Sequence, residues 1–125
     1  MVGVVHQSVF QTKDPYVMTY GDYKEDPNYQ APDHIKHLIM HTEIEIFGSK
    51  VMVSDTPKGF DFDFILGNNF SLAVTSKDKE HMKHAWELLK EGGRVITDLG
   101  VQPFVPYYGY LIDKFGVGWQ FISEQ

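Results

Sequence analysis

Apolar and polar positions along this chain follow two different periods, and the change between them is sharpest in residues 68–96. Phe70, Leu72 and Val74 alternate with Asn69, Ser71 and Ala73, the period-2 pattern of a strand with one buried face. Directly afterwards Met82, Ala85, Trp86 and Leu89 fall at i, i+3, i+4 and i+7, which gathers them into one apolar stripe on a helix. Ser76 or Asp78 supplies the oxygen that caps the first turn, because the opening amides of a helix have no partner within it. Gly92 and Gly93 end the helix, since glycine enters the left-handed conformation of a C-terminal cap without a Cβ clash. The pattern predicts strand, helix, strand, with the second strand opening at Arg94.

Upstream of this unit the pattern is strand-like throughout. Residues 4–10 and 16–20 are short β-type runs separated by the Asp14-Pro15 turn signal, and residues 23–34, with two prolines among polar neighbours, read as a long loop. A strand over 35–48 is followed by a hairpin turn at Gly48-Ser49 and a second arm over 50–55. On the first arm Leu38, Met40, Thr42, Ile44 and Ile46 share the core face. His37, Ile39, His41, Glu43 and Glu45 share the other, which parity alone leaves either in solvent or along a cavity. In the connection 56–69, Phe60, Phe62 and Phe64 alternate with Asp61 and Asp63, and they read as a lid over the edge of the core.

Downstream, strand-like residues 94–100 lead into the proline-bracketed stretch 101–109. A strand over 110–113, a tight turn over 113–116 and a closing strand over 117–122 complete the chain. The closing strand sets Gly118, Gln120 and Ile122 against Val117, Trp119 and Phe121. The second half therefore reads βαβββ. The first half reads βββ, without a recognisable leading strand and helix.

Composition narrows what such a chain does. With 125 residues and 42% apolar content it forms one domain with a real core and is too small for two independent ones. Neither a membrane span nor a basic-then-apolar leader is expected. The lack of cysteine excludes disulfides, thiolate metal sites and cysteine nucleophiles, and it fits a reducing cytoplasm. A net charge of −6, with Arg94 as the one arginine, argues against a nucleic-acid partner.

Several ordered motifs carry a family resemblance: IMHTEIEIFGSKVMVSD (39–55), GNNFSLAVTSKD (67–78), the EGG after the helix (91–93) and LIDKFGVGW (111–119). Together they resemble the PhnB-like branch of the glyoxalase/bleomycin-resistance superfamily, the vicinal oxygen chelate proteins. The resemblance covers residues 19–122. It implies an α+β chain of paired βαβββ modules whose curled mixed sheets surround a cavity, with residues 1–66 a shortened first module and 67–125 the second. It also implies a homodimer. A first module without its leading strand and helix leaves an open sheet edge and an apolar face, which favours pairing with a second copy, with exchange of elements as one way to achieve it.

Metal-dependent relatives place His or Glu on the strands facing the cavity. Here the matching positions are Met52, Asn69 and Gln120, a donor set that disfavours a divalent ion, so no cofactor is expected although a metal stays conceivable. Asn69 and Gln120, with Tyr108 and Tyr110, are instead candidates to orient a ligand by hydrogen bonds. His41 and Glu43, two apart on one strand face, form either a general base with its orienting carboxylate or a polar surface row. His81 and His84, three apart but off the helix stripe, read as solvated. No Ser-His-Asp arrangement and no glycine-rich phosphate loop is recognisable. The lack of a nucleotide-binding βα turn likewise gives no support to a methyltransferase activity, which this branch carries by name.

Two functions follow from different classes. One is a small-molecule binding protein with a cavity of Tyr108, Tyr110, Asn69, Gln120 and His41. The other is a superfamily enzyme acting on a small substrate through His41 and Glu43, with or without an ion.

Overall fold

The computed structural model describes residues 9–10, 16–24, 26–58 and 64–123. Among the described residues the chain is α+β, with two sheets and the helix α1 (Lys79–Leu89), and it divides into two compact units, Met1–Ile65 and Leu66–Gln125.

The first unit holds an antiparallel sheet of β1 (Val17–Thr19), β2 (Ile39–Ile46) and β3 (Ser49–Val53), in the order β1-β2-β3. Thr42, Ile44 and Ile46 are buried, as the alternation requires. Ile39 is a correction. It was assigned to the polar face, yet it is only 2% exposed. Met18 pairs with His41 but Thr19 pairs with Ile39, so Met40 is an extra residue that reverses the parity of everything before it. Asp55 fastens this end of β2: its carboxylate accepts from the Ile39 amide at 2.7 Å and its own amide donates to the Ile39 carbonyl at 2.8 Å.

The β2–β3 turn is also displaced by one residue from the expected Gly48-Ser49. Ile46 pairs with Ser49, and the two turn residues are Phe47 (φ 47°) and Gly48 (φ 86°), the double positive φ of the tight turn that matches strand twist. Phe47 accepts a conformation rare outside glycine, and its ring meets Phe10 edge-on at 5.9 Å between centroids. The strand expected over 4–10 lies outside the described residues except for Val9 and Phe10. These are both buried, and the backbone there is helical and then turning rather than extended.

The second unit is β4 (Ser71–Thr75), α1 (Lys79–Leu89), β5 (Arg94–Gln102), β6 (Val105–Ile112) and β7 (Gly118–Ser123). Its sheet has the order β4-β7-β6-β5, with β4 parallel to β7 and the other pairs antiparallel. The helix stripe is as expected, with Met82, Ala85, Trp86 and Leu89 at 0–3% exposure. Asp78 caps α1 by accepting from the His81 amide at 3.0 Å, and Gly92 takes φ 75° beyond its end. Val74, Leu111, Trp119 and Phe121 of the sheet are buried too, and Trp86 of the stripe meets Phe121 edge-on at 5.8 Å.

Gly109 makes that approach possible, because a Cβ there would lie 2.8 Å from the Trp86 ring. The 113–116 turn is tied by Asp113, whose carboxylate accepts from the amides of Phe115 (2.9 Å) and Val117 (3.0 Å) and from the Trp119 indole (2.9 Å).

Two further expectations are revised. Phe70 was placed on the buried face of β4, but the strand begins at Ser71 and Phe70 is 78% exposed. β6 starts five residues before the expected position 110 and runs through Pro106. Pro106 precedes the first β6–β7 pair, Tyr107 with Ser123, so its missing N–H removes no bond to β7. Of the aromatic connection, Phe60 and Phe62 lie outside the described residues and Phe64 is exposed.

Candidate functional site

The sheet of the second unit has two unlike faces. One carries the residues under α1. The other is set by the opposite parity: Ser71 on β4, Gly118 and Gln120 on β7, and Tyr108, Tyr110 and Ile112 on β6, with Ser71 paired to Gly118 and Tyr110 to Gln120. Gln120 is central, because β7 lies between β4 and β6. Its carboxamide spans the sheet: Oε1 accepts from Tyr108 Oη at 2.9 Å, and Nε2 donates to Ser71 Oγ at 2.8 Å. Both ends of the amide are thus committed and the row is held rigid. Burial, and next the neighbouring Tyr110, push the Tyr108 hydroxyl above its ordinary pKa, so it is neutral and a proton donor at neutral pH.

Beside this row lies an open cleft of about 370 Å³, lined by residues that include Leu66, Asn68, Phe70, Tyr110, Ile112 and Gly118. Gly118 keeps it open, since a Cβ there would sit 3.1 Å from Ser71 Cβ and 3.3 Å from Tyr110 Oη. Of the candidates named from sequence, Tyr108, Tyr110 and Gln120 therefore come together. Asn69 is exposed in the segment before β4, and it is Asn68 that reaches the cleft. Ser71 was missed, although it shares the parity of Asn69 and so could have been found on the same alternation.

In the first unit, His41 and Glu43 do lie side by side, with His41 Nε2 3.5 Å from Glu43 Oε1. Lys50 Nζ stands 3.4 Å from the other carboxylate oxygen, and the Tyr16 ring lies 6.1 Å from the imidazole. Both side chains of the pair are about one-third exposed. This arrangement can orient an imidazole for proton transfer, and it is equally a surface ion pair.

The residues at the positions where the resemblance implies metal ligands are poor donors for a divalent ion. Met52 is 66% exposed, Asn69 is exposed, and Gln120 is engaged at both amide ends. Among the described residues no three His, Asp or Glu side chains are grouped to hold one. No helix among them is long and apolar enough to cross a membrane.

The chain's fold is shared with solved structures. It is similar to protein PA1353 from Pseudomonas aeruginosa, with a TM-score of 0.79, 23% identity, and coverage of 99% of this chain and 87% of that one. It is also similar to the PhnB protein from Bacillus cereus, with a TM-score of 0.64, 24% identity, and coverage of 96% and 86%. TioX from Micromonospora sp. ML1 follows at a TM-score of 0.51 and 17% identity, with coverage of 99% and 86%. No curated protein matches the sequence. The family model described as 3-demethylubiquinone-9 3-methyltransferase matches residues 8–122, nearly the whole chain, and the protein belongs to that PhnB-like family.

Proposed function

We propose that the chain is a small-molecule binding protein of the glyoxalase-like superfamily, and that the ligand is received on the open face of the β4-β7-β6-β5 sheet. The observation that carries this reading is the Ser71–Gln120–Tyr108 hydrogen-bonded row standing beside the cleft at Gly118. A half-buried polar row on the sheet face away from the helix contributes less to the core than an apolar one, and it pre-orients donors and acceptors for a guest. The cleft volume is within the range of ligand sites, about 300–1,000 Å³. The βαβββ order of the second unit, with β4 parallel to β7, supports the superfamily assignment.

Methyl transfer, the activity in the family's description, needs a site for a methyl donor. The β4–α1 turn, Ser76-Lys77-Asp78, has no glycine, and Asp78 puts its own carboxylate on the helix amides. That turn offers none of the backbone exposure that glycine-rich nucleotide loops use, which favours binding over methyl transfer. A second reading, acid-base catalysis by His41, is favoured by its 3.5 Å approach to Glu43. We also take the chain as a homodimer. Ile96, Val101 and Phe104, at 50%, 81% and 68% exposure along the edge strand β5 and its turn, support that reading, and sedimentation as a monomer at micromolar concentration would refute it.

Thermal-shift and calorimetric titration with a panel of small aromatic and carbonyl compounds tests the binding reading. Gly118→Val, which fills the cleft and must push Ser71 and Tyr110 aside, is expected to abolish binding, with cooperative thermal unfolding of the variant verified first and Gly118→Ala as the milder variant expected to weaken binding. Binding that persists unchanged in Gly118→Val would place the ligand elsewhere. Turnover that disappears in His41→Ala with binding retained would favour the enzymatic reading.

A further inference from the structure

Hydrogen-bond direction along the polar row restricts the chemistry of the guest. A hydroxyl has one proton to give and lone pairs to receive. Tyr108 gives its proton to Gln120 Oε1, so only its lone pairs remain. Ser71 Oγ receives from Gln120 Nε2, and among the described residues its own proton goes to no protein acceptor. The Tyr110 hydroxyl, half-buried on the cleft wall, likewise has no hydrogen-bond partner among the described residues. These two hydroxyl groups flank one place: a methyl group built on Gly118 would stand 3.3 Å from Tyr110 Oη and 3.1 Å from the carbon that bears the Ser71 hydroxyl, with the Phe70 backbone carbonyl oxygen, a main-chain acceptor, also at 3.3 Å.

The Tyr110 hydroxyl therefore lines the cleft over a bare glycine, with Ser71 next to that glycine and Leu66, Phe70 and Ile112 as the apolar walls. Among the described residues no lysine, arginine or histidine lines the cleft. A carboxylate or phosphate held there would be desolvated without a counter-charge, which is costly, whereas a neutral oxygen acceptor satisfies both hydroxyls. A guest without an acceptor would leave two half-buried protons unpaired.

We propose that the cleft takes a neutral, mainly apolar molecule bearing a carbonyl-type oxygen, which lies over Gly118 and accepts from Tyr110 Oη and Ser71 Oγ. The proposal rests on the reading of this cleft as the ligand site, and the test separates the two. Three probes of one shape are titrated into the protein by calorimetry: 2-acetylnaphthalene, its hydrocarbon isostere 2-isopropenylnaphthalene, and 2-naphthoate. The ketone is expected to bind at least about tenfold more tightly than the hydrocarbon, since two neutral hydrogen bonds are worth roughly fivefold each. The naphthoate is expected to bind more weakly than the ketone.

Tyr110→Phe, which removes one oxygen, should lower the ketone's advantage over the hydrocarbon about fivefold, by weakening the ketone and relieving the hydrocarbon of an unpaired hydroxyl. Ser71→Ala should do the same. Equal affinity for ketone and hydrocarbon, with both abolished by Gly118→Val, would overturn the acceptor proposal and leave the cleft as a binding site. Tightest binding by the naphthoate, or a ketone preference that survives Tyr110→Phe and Ser71→Ala together, would overturn it as well. Binding of all three probes undiminished by Gly118→Val would overturn the cleft itself.

Discussion

The two faces of the β4-β7-β6-β5 sheet are built from the same four strands, yet they differ in almost every physical respect. Under α1, Leu111, Trp119 and Phe121 are fully buried and every large group is apolar or, like the Trp119 indole, hydrogen-bonded to Asp113. On the opposite face Ser71, Tyr108, Tyr110 and Gln120 are half-buried, and their hydrogen bonds run between side chains. Glycine marks the contrast on each side. Gly109 lets the Trp86 ring close against the strand, and Gly118 keeps space open that a side chain would fill. The helix-covered face is arranged for stability, and the open one is arranged to be specific about something it does not itself contain.

Truncation should separate the faces most strongly. Phe121 touches both tryptophan rings, at 5.8 Å from Trp86 and 6.4 Å from Trp119 between centroids. Phe121→Ala is expected to cost about 3–5 kcal/mol in urea unfolding, through lost transfer energy and the cavity left behind. Ile122→Ala, one residue along and facing the other way, should cost less, about 1–2 kcal/mol, because part of its surface already meets water in the folded chain. Similar losses for the two variants would break the distinction between the faces.

Next in size is Asp113→Ala. It removes the acceptor of two turn amides and leaves the indole N–H of fully buried Trp119 without that partner, at a cost of about 2–3 kcal/mol. Asp113→Asn, which keeps one carbonyl oxygen, should fall between wild type and alanine. If alanine proves no worse than asparagine in chemical denaturation, the carboxylate is not what holds the β6–β7 turn.

Gln120→Leu probes the open face with a side chain of similar length. Stability should change by about 1 kcal/mol or less, since the polar partners it releases can reach water. Ligand affinity should instead fall by roughly tenfold or more, because Tyr108 and Ser71 lose the group that orients both. A large loss of stability with affinity intact would reverse the roles assigned to the two faces.

The helix-covered face was the legible one. Met82, Ala85, Trp86 and Leu89 recur at helical spacing and the inward residues of β7 alternate strictly, so burial left a periodic record in the sequence. On the open face Gln120 was named from the metal positions that the resemblance implies, with Tyr108 and Tyr110 beside it, while the alternation continued β4 backward to Phe70 and overlooked Ser71. Hydrophobic alternation carries no mark of where a strand stops. It also carries no mark of a bulge, and for that reason Ile39 was placed on the wrong face of β2. The proline-bracketed stretch 101–109 was not assigned to a strand, although a strand tolerates proline where a neighbouring strand asks nothing of its nitrogen. The hydrogen-bond directions that restrict the ligand depend on the contact between Gln120 and Ser71, far apart in sequence, and no local pattern encodes that contact.

The smallest expected effect concerns protons, and it compares the two units rather than the two faces. Tyr108 in the second unit and Tyr20 in the first both have hydroxyls pushed above the ordinary value of 10.0, in each case chiefly by burial. The unfolded chain therefore sheds these protons first. Their contribution to stability is complete below pH 10, and it declines as pH rises from there through the raised folded values. Phenolate absorbance during alkaline titration should show late-ionising tyrosines in the folded protein, and Tyr108→Phe should remove one of them while Tyr20 remains. Tyr108 keeps part of its surface in solvent, so the accompanying loss of stability should be slight, and loss of an early-ionising rather than a late-ionising phenol in Tyr108→Phe would mean that Tyr108 is not held as described. A bound acceptor ligand should delay the Tyr108 ionisation further by excluding water from the open face, which links this smallest effect back to the cleft at Gly118.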